Sequence, residues 1–484
     1  MKNNMMIKIL VFSSLLFLTG CNTLQDVFKL PNKKTPEQYA EPVIEATVAE
    51  VSDKWWENYQ DPKLNELVTL ALQNNSDVKV AAARIEEADA FAREIGTSIL
   101  PTVNLGAGAA RQRTFSPGFN GINPTYNLYR IELGTNYEID FWGKIKLAEK
   151  SARAQLLASK YGLDTTKISV ASLVSNYYLS LLSLDAQQNV LGKILESREK
   201  SLALARKRLQ GGIVSILDIY QAEGAVLQIK LQQEEYKRLR AIASHQLLFL
   251  TASSDLSMPK YALETLPNVP IPPAGLPASL LTARPDIQIA ELELVSMQAN
   301  IGLARAAFYP TFSFTGDAGL QSAVFSDFVS NPARVFTLGL GLNLPIFDGG
   351  KRKEKLNQTL AQEKQALERY ANSINIAFKE VNDGLSNVQQ EAEKERLLIE
   401  ATALASKTVE VARNRYEAGY TSYIEVLDAE RSLIETNVAF LQTREARLLA
   451  SVSLFKALGG GWQTPKNVDV LLEKEKMPVK EKTN

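Results

Sequence analysis

The chain has 484 residues, enough for two or three domains, and its 54 lysines and arginines cancel its 54 aspartates and glutamates. Zero net charge, with the basic residues scattered over helical patches, excludes long-range steering of nucleic acid. One cysteine, Cys21, excludes an intrachain disulfide, and one histidine leaves too few ligands for a zinc centre. That histidine, His245 in AIASHQLLFL, reads as packed or interfacial.

Residues 1–20 read as a signal peptide: lysines at 2 and 8 precede an apolar run, Ile9–Leu18, too short to span a bilayer. The run ends in Leu18-Thr19-Gly20-Cys21, which resembles the bacterial lipobox, whose cysteine is lipidated after cleavage. Cys21 is therefore the expected attachment point of a covalent N-terminal lipid, and 21–61 the lipidated N-terminal segment. Asn22, in place of aspartate, suggests by family analogy delivery to the outer membrane. No later stretch reaches the 18 or so apolar residues of a spanning helix.

From residue 62 onward the chain is written twice. DVKVA (77–81) aligns with DIQIA (286–290), and Pro101-Thr102 with Pro310-Thr311, both 209 residues apart. Gly143-Lys144 aligns with Gly350-Lys351, and ARKRLQGGIVSILDIYQAE (205–223) with ARNRYEAGYTSYIEVLDAE (412–430), both 207 apart. Four anchors in one order at nearly one spacing mark a tandem duplication, with a unit too long for a solenoid. The copies span 62–250 and 282–458, joined by a proline-rich connector over 251–281 and followed by a C-terminal tail, 459–484, polar and expected to be disordered after Gly459-Gly460-Gly461.

Each copy has the same grammar. A helix (62–98, 282–307) leads into a hairpin of strands with period two, at about 102–139 and 311–346. Val103, Leu105, Ala107 and Ala109 alternate with polar residues and glycines in the first hairpin, and Phe336, Leu338, Leu340, Leu342, Leu344 and Ile346 in the second. Long helices follow at 144–210 and 351–418, each roughly 100 Å at 1.5 Å per residue. They end at Gly212 and Gly419, which read as tip turns before a further helix of about thirty residues. Four amphipathic strands cannot close a membrane barrel, so an apolar face meeting lipid requires several chains; a soluble sandwich is the alternative.

WWENYQDPKLNELVTLALQNN (55–75), ELGTNYEIDFWGK (132–144), the GLP…LLTARPDI segment (275–287), ARAAFYPTFSFTG (304–316), LPIFDGGKR (344–352) and the repeated tip resemble the outer-membrane factor family. The match is to the lipoprotein outer-membrane channels of tripartite efflux systems. The resemblance implies an α+β membrane fold: a homotrimer whose chains each give four strands to one twelve-stranded outer-membrane β-barrel, continued by a long α-helical barrel. It implies a passive exit duct for drugs or other small molecules, with no cofactor beyond the lipid. The implied partners are a periplasmic adaptor at the tips and an inner-membrane pump of the resistance–nodulation–division type; with no GxxxxGK[ST] in the chain, energy is expected from the pump. Carried over by position, Glu425 and Asp428 form acidic rings at a periplasmic gate, and Asp218 and Tyr416 are linking residues. Thr421 stands where some members have a basic link.

Other readings are a type I protein-secretion duct and a periplasmic coiled-coil scaffold, which leaves the recurring hairpins unexplained. Acid pairs such as Glu86-Glu87 and Glu234-Glu235 are adjacent on helices and read as solvated faces, not as the dyad of an enzyme.

Overall fold

The computed structural model describes residues 38–113, 125–256, 267–275, 277–328 and 333–461. The signal peptide, Cys21 and the tail beyond 461 lie outside them. In chain order the elements are α1 (Pro62–Asn74), α2 (Ser76–Thr97), β1 (Thr102–Arg113), β2 (Thr125–Ile139), α3 (Lys144–Gln210), α4 (Ile216–Thr251), α5 (Leu280–Ala283), α6 (Pro285–Ala306), β3 (Thr311–Ser322), β4 (Arg334–Asn343), α7 (Lys351–Glu417) and α8 (Tyr423–Ala457). The long helices α3 and α7 have 67 residues each, as the breaker-poor stretches predict.

Three expectations need correction. The first helix is two: Asn75 ends α1, and its side-chain oxygen accepts from the backbone N–H of Asp77 at 2.8 Å, restarting the chain as α2. The last strand stops at Asn343, short of Leu344 and Ile346, because Pro345 has no N–H to give the ladder. Gly459 and Gly460, counted to the tail, are buried and belong to the packed unit: a Cβ on Gly459 would meet the Ala283 carbonyl oxygen, and its φ of +92° suits only glycine.

The chain divides into two compact units, each drawing on both copies. One, from Ala88–Leu156 and Leu292–Arg369, holds a single antiparallel sheet in the order β1-β2-β3-β4. Its register puts Leu105 opposite Leu133, Leu133 opposite Ala318, and Ala318 opposite Phe336, so the apolar positions of all four strands share one face. That face is bare in the single chain: Phe336 is 82% and Leu340 83% exposed. The other face is mostly polar and glycine-rich, and four of its polar residues each oppose a glycine. Glu132 lies across from Gly106 and Gly319, Asp317 from Gly134, Thr315 from Gly339 and Ser313 from Gly341. A Cβ on Gly134 would meet Asp317 Oδ1 at 2.9 Å, and one on Gly341 would meet Ser313 Oγ at 2.6 Å.

Matched caps turn strand into helix at the two exits of the sheet. Asp140 accepts from the backbone N–H groups of Ile145 (3.0 Å) and Lys146 (3.1 Å), and Asp348 from those of Gly350 (3.1 Å) and Arg352 (3.0 Å). Trp142 stacks on Tyr309 and donates its indole N–H to the Pro310 carbonyl at 2.7 Å, locking the two hairpin bases together.

The second unit comprises the described residues of Thr35–Glu87, Leu157–Glu291 and Tyr370–Asn484. Its largest cluster gathers around Trp55, which stacks on Phe455 and packs edge-on against Trp56 and Tyr59. Asp61 caps α1 through Lys63 and Leu64 and accepts from the Tyr178 hydroxyl at 2.7 Å, which accounts for much of the WWENYQDPKL motif. Burial raises the Tyr59 phenol well above its usual range, although its hydrogen bond with Ser451 opposes the shift. The ARPDI motif is explained by Arg284, which is buried, donates to the Ala457 carbonyl at 2.8 Å and pairs with Asp286 and Glu380. Glu86, Glu87, Glu234 and Glu235 are exposed, as solvated faces should be; His245 is exposed too, so it is not packed within this chain.

Candidate functional site at the helical tips

Both tips are built by one device. At the end of α3, Ile213 N–H donates to the Arg208 carbonyl and Gly212 N–H to that of Leu209. At the end of α7, Tyr420 donates to Arg415 and Gly419 to Tyr416 in the same pattern. These are paired Schellman turns, and they place Gly212 at φ +74° and Gly419 at φ +80°, a left-handed conformation that glycine adopts without penalty. The helix starts differ. Ser215 and Asp218 form a reciprocal capping box at the start of α4, whereas Ser422 before α8 makes no side-chain cap bond.

The two tips pack on each other through one apolar cluster that includes Ala205, Ile219, Ala222, Ala412, Tyr416, Tyr423 and Val426. Tyr416 and Tyr423 rings meet at 5.2 Å, and the Arg208 guanidinium sits 5.0 Å over the Tyr416 ring. Arg208 also donates to the Tyr416 and Glu417 carbonyls at 3.3 and 3.1 Å. A cation from the first tip thus neutralises the negative end of the helix in the second. Burial, and then the nearby Glu430 carboxylate, push the Tyr423 phenol up to about 12.

Beneath the turns lies a buried ionic cluster. Glu430 on α8 accepts from Arg413 at 2.9 Å, and its other oxygen lies 3.4 Å from the Arg198 Nε. Arg413 further donates to Ser197 Oγ, and Arg198 to the Ala225 carbonyl. One carboxylate therefore holds two guanidiniums from two different long helices. The cluster borders a cleft of about 520 Å³ whose wall includes Lys193, Ser197, Glu410 and Asn414.

The residues singled out from the sequence fall at these tips. Glu425 and Asp428 are both exposed on α8, but they are not equivalent: Asp428 is paired with Arg431 at 2.7 Å. Asp218 is engaged in its capping box. Tyr416 is buried, and its hydroxyl has no hydrogen-bond partner among the described residues, so no Tyr416–Asp218 bond exists inside one chain. Thr421 Oγ1 is likewise buried without a partner. Sequence reasoning missed Arg198, Arg413 and Glu430. A signal was present for two of them, because Arg413 and Glu430 repeat Arg206 and Glu223 at the same spacing of 17 residues. Among the described residues no cluster of His, Cys, Asp and Glu could hold a metal ion.

Residues 67–253 and 276–460 each match the outer membrane efflux protein family, so the family's unit occurs twice in this chain. The chain belongs to that family. It is 30% identical to the probable outer membrane lipoprotein SilC of Salmonella typhimurium, over 94% of this chain and 99% of that protein. It is 34% identical to the probable efflux pump outer membrane protein SepC of Pseudomonas putida, over 84% and 85%. Among solved structures it matches the Campylobacter jejuni CmeC outer membrane channel at TM-score 0.83 and 26% identity, covering 93% of this chain and 98% of that one. A membrane protein from Pseudomonas aeruginosa matches at TM-score 0.81 and 31% identity, with 89% and 98% covered. The chain is an outer-membrane efflux channel protein, with the channel fold of four antiparallel strands and paired long helices in tandem repeat. The family is one of channels rather than enzymes.

Proposed function

We propose that three copies of this chain close one twelve-stranded barrel in the outer membrane, and that the resulting duct passively releases small molecules delivered by a periplasmic adaptor and an inner-membrane pump. The observation that carries the proposal is the sheet itself. β1 and β4 each have one unpaired edge, and their shared apolar face is bare on β1 and β4, partly bare on β2 and half-covered on β3. An open edge in lipid leaves backbone groups unsatisfied at several kcal/mol each, so edges must meet edges of other copies. The polar face then lines water, and a water-filled tube conducts without reaction chemistry.

Purified protein reconstituted in planar bilayers is expected to give discrete ion conductance, and native mass spectrometry to give a trimer. A monomer without conductance would sink the proposal. The adaptor reading rests on the paired tips, and cysteines placed at 212–218 and 419–425 should capture a periplasmic protein in cells. The lipid anchor rests on Cys21: Cys21→Ser should abolish acyl labelling yet leave barrel insertion largely intact, since the strands bury more apolar surface than acyl chains do.

A further inference from the structure

The apolar face of the sheet is not neutral throughout. Side chains alternate strictly along a strand, so the register assigns every described residue of β1 to β4 to one face or the other. On the apolar face only three residues carry charge: Arg111 and Arg113 at the end of β1, and Arg334 at the start of β4. All three are exposed, and no carboxylate among the described residues pairs with them. By contrast Arg130, on the polar face, is paired with Glu132.

All three also lie at the same end of the sheet. α2 enters β1 at Thr102, β2 leaves for α3 at Ile139, α6 enters β3 at Thr311, and β4 leaves for α7 after Asn343. The helices therefore attach at one end, and the arginines stand at the other. At the helix end the same face offers Val103, Tyr137, Ile139, Phe312, Phe314 and Leu342, with no charge. An arginine on the lipid face is costly at mid-membrane and nearly free near the interface, so such residues mark a headgroup level.

We infer that this arginine strip binds the phosphate groups of the glycolipid of the outer leaflet, a phosphorylated glucosamine disaccharide of the lipid A type. The inference rests on the reading of the apolar face as lipid-facing. Helices in the periplasm put the arginine end outward, where the leaflet is polyanionic. Arginine presents a planar fork that matches phosphate oxygens with two parallel hydrogen bonds, and it cannot lose its charge. Arg111 and Arg113, two positions apart on one face, are about 7 Å apart along the strand, close enough to serve one headgroup. The uncharged, aromatic helix end suits the zwitterionic inner leaflet instead. The two ends of one face are thus matched to the two unlike leaflets of an asymmetric membrane.

The test compares wild type with the variant Arg111→Gln/Arg113→Gln/Arg334→Gln, both as intact trimers. Binding of fluorescent bisphosphorylated lipid A to the detergent-solubilised channel is titrated beside dephosphorylated lipid A and phosphatidylglycerol. Wild type should prefer the bisphosphorylated form, and the triple variant should bind it at least about tenfold more weakly with single-channel conductance unchanged. An Arg→Lys triple variant should recover part of the affinity. Equal binding by wild type and the Gln variant, or equal binding of phosphatidylglycerol, overturns the inference while leaving the duct intact. Loss of conductance and insertion in wild type itself would instead overturn the duct reading.

Discussion

The two tips carry the same short words in different company. Arg206 and Glu223 in the first copy, and Arg413 and Glu430 in the second, are separated by 17 residues around the same glycine turn and make ion pairs at 2.7 and 2.9 Å. Yet the Glu223 side chain is 40% exposed and that of Glu430 only 7%, and Glu430 alone has a second guanidinium, Arg198, beside it. Nearby positions diverge in step. Ile216, 51% exposed, corresponds to Tyr423, 2% exposed, and Leu209 corresponds to the buried Tyr416. Duplication preserved the local geometry of the turn, while the packing of one tip against the other decided which carboxylate lost its water. A carboxylate stripped of solvent between two guanidiniums is costly to remove, whereas its exposed twin is nearly dispensable.

That contrast can be broken by substitution. Glu430→Ala leaves Arg198 and Arg413 facing each other without an anion and should cost about 3–5 kcal/mol. Glu223→Ala should cost no more than about 1 kcal/mol. Urea midpoints of the detergent-solubilised protein, followed by helical circular dichroism, compare the two, and equal losses would erase the distinction. Where the copies are alike, effects should be alike: Gly212→Ala and Gly419→Ala each place a Cβ at positive φ with open space around it, for about 1–2 kcal/mol apiece in the same assay. The caps should separate the copies again, since Asp218→Ala removes half of a capping box, about 1 kcal/mol, while Ser422→Ala removes no cap bond.

Glu425→Ala with Asp428→Ala should barely move the unfolding midpoint, because both acids are exposed, but should lower cation preference and raise resting conductance in bilayers if they ring the lumen. Unchanged reversal potentials would place the pair outside it. Tyr423 supplies a pH signature with a definite sign. Its phenol titrates near 10 when unfolded and near 12 when folded, so its contribution is complete below pH 10 and is lost as pH rises toward 12. Tyr423→Phe should remove that part of the alkaline decline, seen as a smaller fall in melting temperature between pH 9 and 12 than in wild type.

Much of this was legible in the sequence. The duplicated anchors put the tip turns at Gly212 and Gly419, and the period-two runs put one apolar face on all four strands, because both signals are local and written twice. The break at Asn75 was written as well, in the Asn-Asn-Ser-Asp run whose Asn75 caps α2, but a helical period on both sides concealed it. Alternation through Leu344 and Ile346 misled for the opposite reason, since Pro345 ends a ladder without disturbing a pattern. Arg198 was beyond reach: it joins Glu430 across 232 residues, and nothing in its own helix says that this arginine, among many, is buried.

Four polar side chains of the sheet lie across from glycines, and that pairing has a consequence for transport. Glu132, Asp317, Thr315 and Ser313 each have an empty neighbour to recline across, so these side chains are laid along the wall rather than pointed inward. In a closed barrel the width of the bore at these levels would then be set more by peptide backbone, which cannot swing, than by rotamers, which can. Such a stretch of wall holds its calibre and offers few gripping points, and it leaves selection among cargoes to whatever loads the conduit.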